Sequence, residues 1–135
     1  MSKAEKGQCL CGAVKFEAEG KPMWVAHCHC RSCRRNTGSA VATFVGLKQE
    51  QFRYVEGSPK SFTSSPGVSR SFCNDCGTPL AYEGDHCPDE IHIYVSTFDH
   101  PEVFEPTAHV FIVEKIPWLH MDDGLNRYKG RGREG

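Results

Sequence analysis

The residues with the most chemistry to offer are eight cysteines in a chain of 135 residues, at positions 9, 11, 28, 30, 33, 73, 76 and 87. Their spacing is C-x-C, then C-x-C-x-x-C, then C-x-x-C, then a single residue. A disulfide inside a C-x-C pair is strained, whereas thiolates one or two residues apart bind a single zinc easily. Gly12 follows Cys11 and Gly77 follows Cys76, and glycine there lets the backbone turn tightly beneath a metal-bound sulfur. Cys9, Cys11, Cys73 and Cys76 therefore read as two matching knuckles that supply the four ligands of a closed, structural zinc site. Joining residue 11 to residue 73 closes a long loop, so metal binding there becomes folding energy.

The middle cluster, Cys28, Cys30 and Cys33, offers three ligands and leaves a fourth position open, the mark of a catalytic zinc. Two alternatives stand beside that reading. His27 or His29 closes the site into a three-cysteine, one-histidine knot, or the cluster is a metal-free redox motif. In an extended segment His27 and His29 project away from Cys28, so a ligand role for either needs a turn. Three thiolates around a divalent cation carry about −1, which makes the ion a poor activator of water and a good seat for a fourth sulfur. Such a site suits a substrate thiol held as thiolate. His27, His29 and His109 are the candidate proton donors by type. Arg31, Arg34 and Arg35 adjoin the cysteines and are suited to pairing with substrate carboxylates. Cys87, alone beside Pro88, is assigned no role.

These residues need elements to position them. Alternation dominates: Val14, Phe16 and Ala18, and again Ile91, Ile93 and Val95, predict strands. Runs rich in β-branched and aromatic residues at 40–47, 52–55, 68–72 and 109–114 predict more. One short helix is expected over Arg31–Thr37, ended by Gly38. Ser64-Ser65-Pro66-Gly67 predicts a hairpin that leads into the Cys73 knuckle. The result is a mainly β single domain over residues 1–128, followed by a flexible basic tail over 129–135. With 16 Lys and Arg against 17 Asp and Glu, the net charge is −1, which disfavours nucleic acid as a partner. The sequence shows no run of the roughly 18 apolar residues that a membrane span needs. With no such run and no apolar stretch after the charges of Met-Ser-Lys-Ala-Glu-Lys-Gly, a cytoplasmic location is the expectation, and a reducing compartment favours metal binding by the cysteines. Edge strands in a small β domain leave a homodimer open.

Gly7 to Phe16, Cys28 to Arg34 with Thr37-Gly38-Ser39, and Phe72 to Leu80 together resemble the glutathione-dependent formaldehyde-activating enzyme family, which includes the centromere-protein-V-like proteins. The resemblance continues through His109-Val110-Phe111, Pro117-Trp118 and Asp123-Gly124-Leu125. It implies an Mss4-like, zinc-containing β-sheet fold with short helical turns. It implies two zinc ions per chain, a structural one on Cys9, Cys11, Cys73 and Cys76 and a second on Cys28, Cys30 and Cys33. It also implies a carbon–sulfur lyase acting on a thiol–aldehyde adduct of the S-hydroxymethylglutathione type, with glutathione or another small thiol as partner. Arg34 matches the arginine directly after the last cysteine of the family's motif and is the first choice of substrate-positioning residue. The competing class is a non-catalytic, zinc-stabilised Mss4-like binding module. A zinc-ribbon nucleic-acid binder that uses Arg127, Lys129, Arg131 and Arg133 ranks last.

Overall fold

The computed structural model describes residues 4–132. The chain begins with β1 (Glu5–Gln8) and β2 (Lys15–Ala18), which pair antiparallel around the first knuckle, and β5 (Phe52–Glu56) joins β2 to complete a three-stranded sheet. The larger sheet holds β3 (Trp24–Cys28), β4 (Ala42–Lys48), β6 (Lys60–Ser65), β7 (Val68–Phe72), β8 (Pro79–Gly84), β9 (Glu90–Tyr94), β10 (Ala108–Val110) and β11 (Asn126–Arg127). Its order is β11-β10-β3-β4-β9-β8-β7-β6. The α-helix, α1 (Arg31–Thr37), ends at Gly38 with φ of 67°, as the sequence predicts.

Strand alternation gives the large sheet two different faces. Val45, Leu47, Ile91, Ile93 and Ala81 share one face and meet Val14, Phe16 and Ala18 in the main core, which Leu80 joins at the register shift between β7 and β8. Phe16 packs edge-on against Phe98 at 5.1 Å. Gly7 on β1 lies directly over the Phe16 ring, and an added Cβ would fall 2.2 Å from Phe16 Cζ. That close approach explains a strand as hydrophilic as Glu-Lys-Gly-Gln. The opposite face carries a cross-strand row of Trp24, Gly46, His92, Tyr82 and Arg70, each paired in register with the next. Gly46 makes room for Trp24, since a Cβ there would lie 2.2 Å from the indole. The Ile-His-Ile-Tyr alternation of β9 thus marks a strand covered on both sides.

The predicted strands at 40–47, 52–55, 68–72 and around Ile91 and Ile93 are present, as is the hairpin into the Cys73 knuckle. The run at 109–114 is not one strand. β10 stops at Val110, Phe111 takes φ of 54°, and 112–114 form a 3-10 turn. Pairing explains the early stop: the Phe111 and Ile112 N–H groups donate to Gly130 O and Tyr128 O rather than continuing along β3. No helix among the described residues is long and apolar enough to cross a membrane. Of the expected tail over 129–135, residues 129–132 are described and run alongside β10, while 133–135 lie outside the described residues.

Candidate metal centres and the cavity between them and solvent

The two knuckles meet as their spacing predicts. Gly12 and Gly77 adopt φ of 81° and 80°, the left-handed turn that only glycine enters cheaply. Cys9 Sγ lies 3.7 Å from Cys11 Sγ, and Cys11 Sγ lies 3.8 Å from Cys73 Sγ. A tetrahedron with zinc–sulfur bonds of about 2.3 Å has a sulfur–sulfur edge of about 3.8 Å. All four sulfurs fall within 4.8 Å of one another. The Val14 and Asp75 N–H groups donate to Cys9 Sγ and Cys73 Sγ at 3.3 and 3.4 Å, the bonds a negatively charged sulfur wants. The donor set fits a closed tetrahedral metal site.

The second cluster is built at a strand-to-helix junction. Cys28 ends β3, Cys30 caps α1 and accepts the Cys33 N–H at 3.3 Å, and Cys33 sits in the first helical turn. Cys28 Sγ and Cys33 Sγ are 3.6 Å apart, and the three sulfurs converge within 4.8 Å. Neither His27 nor His29 joins them. Without a cation the crowded thiols cannot all ionise. Hydrogen bonds from Cys28 and Cys33 hold Cys30 down to about 2, while the bond to Cys30 pushes Cys28 well above the thiol range. A divalent ion removes that conflict, and these three residues would hold it.

Only the second cluster opens onto the larger cavity, of about 560 Å³. Its walls are apolar and aromatic, from Trp24, Phe44, Tyr82 and Phe111, and its charges are Arg70, Arg131 and Glu114. Sequence reasoning did not single out Arg70. It is 6% exposed, its Nη1 lies 3.6 Å from Cys33 Sγ and 3.4 Å from Tyr94 Oη, and its guanidinium stacks 5.1 Å over the Tyr82 ring. The available signal was an arginine in register with the inward Tyr82 and His92, but register cannot be read before the strands are paired. Burial, with Cys33 adding to it, pushes the Tyr94 phenol up to about 12. His92 also faces the cavity and pairs with Glu90 at 2.9 Å.

The sequence-named histidines lie elsewhere. His27 Nδ1 meets Thr43 Oγ1 at 2.8 Å. His29 and His109 are fully buried and form a relay, His29 Nε2 to His109 Nδ1 at 2.8 Å and His109 Nε2 to Asp123 Oδ2 at 2.8 Å. Burial holds the pKa of His29 down to about 4, with the His109 charge adding to it. None of the three lines the cavity. Arg34 donates from Nε to His29 O at 3.3 Å and from Nη2 to Glu114 O at 3.1 Å, and it too is outside the cavity wall. Arg31 and Arg35 are exposed on α1. Cys87 is buried, and its sulfur falls within 4.8 Å of Glu90 and His92 ligand atoms.

A Halomonas elongata protein described as a "putative glutathione-dependent formaldehyde-activating enzyme" is 26% identical over 128 residues, covering 87% of this chain and 80% of that one. An uncharacterized lyase of Schizosaccharomyces pombe is 31% identical over 77 residues, 57% of this chain. That alignment spans 56% of the yeast protein, so the chain matches little more than half of it. A crystal structure of a Rhodobacter sphaeroides protein superposes with a TM-score of 0.59 at 21% identity, over 91% of this chain and 98% of the other, which establishes a shared fold. The sequence profile described as "Glutathione-dependent formaldehyde-activating enzyme" matches residues 4–114. With both thiol clusters inside that match, the chain belongs to the glutathione-dependent formaldehyde-activating enzyme family.

Proposed function

We propose that the chain is a carbon–sulfur lyase acting on thiol–aldehyde adducts of the S-hydroxymethylglutathione type, with the chemistry at Cys28, Cys30 and Cys33. The observation that carries this reading is the asymmetry between the clusters: four thiols close on themselves, and three open onto a cavity of about 560 Å³. Zinc is the metal that suits both donor sets. When bound at the open cluster, it supplies a soft divalent charge that lowers the pKa of an arriving thiol.

In the cleavage direction the adduct R–S–CH2–OH loses its hydroxyl proton, the carbon–sulfur bond breaks with its electron pair passing to sulfur, and formaldehyde leaves. The sulfur then takes up a proton, so R–SH and CH2O balance the adduct. Arg70 supports the step by placing a fixed positive charge beside Cys33, where negative charge collects. The cavity-facing group we assign to proton transfer is His92, oriented by its bond to Glu90. Trp24, Phe44 and Tyr82 exclude water from the reacting atoms. Arg34 is assigned to bracing the loop between Cys28 and Cys33 through its bond to His29 O.

The test follows exchange between formaldehyde and glutathione by NMR, with zinc content measured, on the full chain and on Cys30→Ser. The expected result is turnover by the full chain, loss of turnover in the variant, and retention there of the zinc held by the four-cysteine site. Unchanged zinc content with unchanged turnover in Cys30→Ser overturns the assignment. A zinc-loaded full chain with no turnover favours the binding module instead.

A further inference from the structure

The family match ends at residue 114, yet Tyr128, Arg131 and Gly132 form part of the cavity wall. The chain returns there along a defined path. Asp123 accepts from His109, β11 pairs parallel with β10, and Tyr128 N–H donates to His109 O at 2.8 Å. Phe111 N–H donates to Gly130 O at 2.8 Å, and Ile112 N–H to Tyr128 O at 3.0 Å. Phe111 is the one non-glycine residue among those described with positive φ. Such a conformation persists where its surroundings hold it, often at functional sites. Here it turns the Phe111 N–H toward the returning segment while the residue lines the cavity. Gly132 lies against β10 closely enough that an added Cβ would sit 3.1 Å from Val110 Cγ1.

The cavity's charge is correspondingly divided. Arg70 is buried beside the thiols, whereas Arg131 is exposed at the rim. Both line the cavity, with Arg70 over the Tyr82 ring on β8, four strands away from β10. The carboxylate on the wall, Glu114, already accepts the Arg31 N–H through Oε1 at 2.9 Å. A rim cation and an aromatic ring beside an apolar cavity suit a substrate with an anionic end remote from its reacting atom.

We propose that residues 126–132 form a specificity strap in which Arg131 binds a carboxylate on the part of the substrate remote from sulfur, with Tyr128 packed against the chain between. The proposal rests on the reading of this cavity as a thiol site, and it deepens it: the strap lies outside the family-matched segment and makes the preference for a carboxylate-bearing thiol a property of this chain.

Calorimetric titration of the purified full chain tests it with glutathione, S-methylglutathione and the neutral thiol N-acetylcysteamine, repeated on Arg131→Gln and Arg131→Lys. The expected result is a loss of about tenfold or more for glutathione and S-methylglutathione in Arg131→Gln, partial recovery in Arg131→Lys, and N-acetylcysteamine unchanged within about twofold. Glutathione binding that is unchanged, or weakened equally with the neutral thiol, overturns the proposal. If S-methylglutathione binds in an Arg131-dependent manner but neither thiol engages the cluster, the strap stands and the lyase reading falls. If thiols bind and Arg131→Gln changes nothing, the strap falls alone. Binding of none of the three overturns both.

Discussion

Replacing Arg70 by methionine removes one charge from a buried site while keeping similar bulk. Three thiolates and a divalent ion sum to −1, and Arg70, at 3.6 Å from Cys33 Sγ, brings the group to neutrality. At that separation the Coulomb energy is about 4–5 kcal/mol at an effective dielectric of 20 and about 1 kcal/mol at that of water. The site is buried on the sheet side and open on the cavity side, so the loss should fall between these limits. Zinc affinity of the three-cysteine cluster should therefore drop roughly 10- to 1000-fold, while the four-cysteine site keeps its affinity. Competition against a chromophoric chelator resolves the two sites as separate steps. Arg70→Lys should recover part of the loss, because a point charge replaces the guanidinium without its stacking on Tyr82. Two zinc affinities that both stay within twofold of the wild type would refute the charge argument.

Two further perturbations probe the frame around the site. His109→Leu removes the centre of the His29–His109–Asp123 relay and leaves a fully buried His29 Nε2 without its partner. The expected cost is about 2–3 kcal/mol, seen as a drop of several degrees in Tm, and a Tm within one degree of wild type would contradict the relay's structural role. Burial pushes the Tyr54 phenol up to about 12, the Glu83 charge adding to it, and Tyr94 is raised to the same value. Their folded pKa values exceed the unfolded value of about 10, so the neutral phenols contribute stability that is complete below pH 10 and is lost as pH rises through 12. Absorbance titration near 295 nm should show the late ionising step shrink in Tyr54→Phe, and an unchanged late step would count against that burial.

The knuckles and α1 were legible in the sequence because their signals are local: a cysteine pair followed by glycine, and a seven-residue helix stopped by Gly38. β3 was not, since Trp24-Val-Ala-His-Cys looks like an approach to a metal loop and its strand character comes from pairing with β4 and β10. The same limit hid Arg70. An arginine on a short polar strand reads as solvent-facing until cross-strand register sets it beside Tyr82, and Cys33 is brought to it from 37 positions away in sequence. Conversely, Arg34, His27 and His29 stand out by adjacency to the cysteines, and His109 by residue type alone. The structure puts them behind the loop that holds the thiols, with Arg34 on two carbonyls and His29 on His109, rather than on the cavity wall. The basic segment from residue 129 reads as a fraying end because its composition is polar, whereas its Gly130 carbonyl accepts from the strained turn at Phe111.

In the proposed function one cluster is closed on its ion and the other leaves a position for a substrate sulfur. Zinc K-edge absorption spectroscopy on the zinc-loaded full chain reads this directly. Four and three cysteine sulfurs in the two clusters, shared between two ions, give an average of three and a half sulfurs per zinc. That value is expected before a thiol is added, and four after addition of saturating glutathione. An average of three and a half that glutathione leaves unchanged would contradict it, as would a histidine nitrogen in the shell of the second ion.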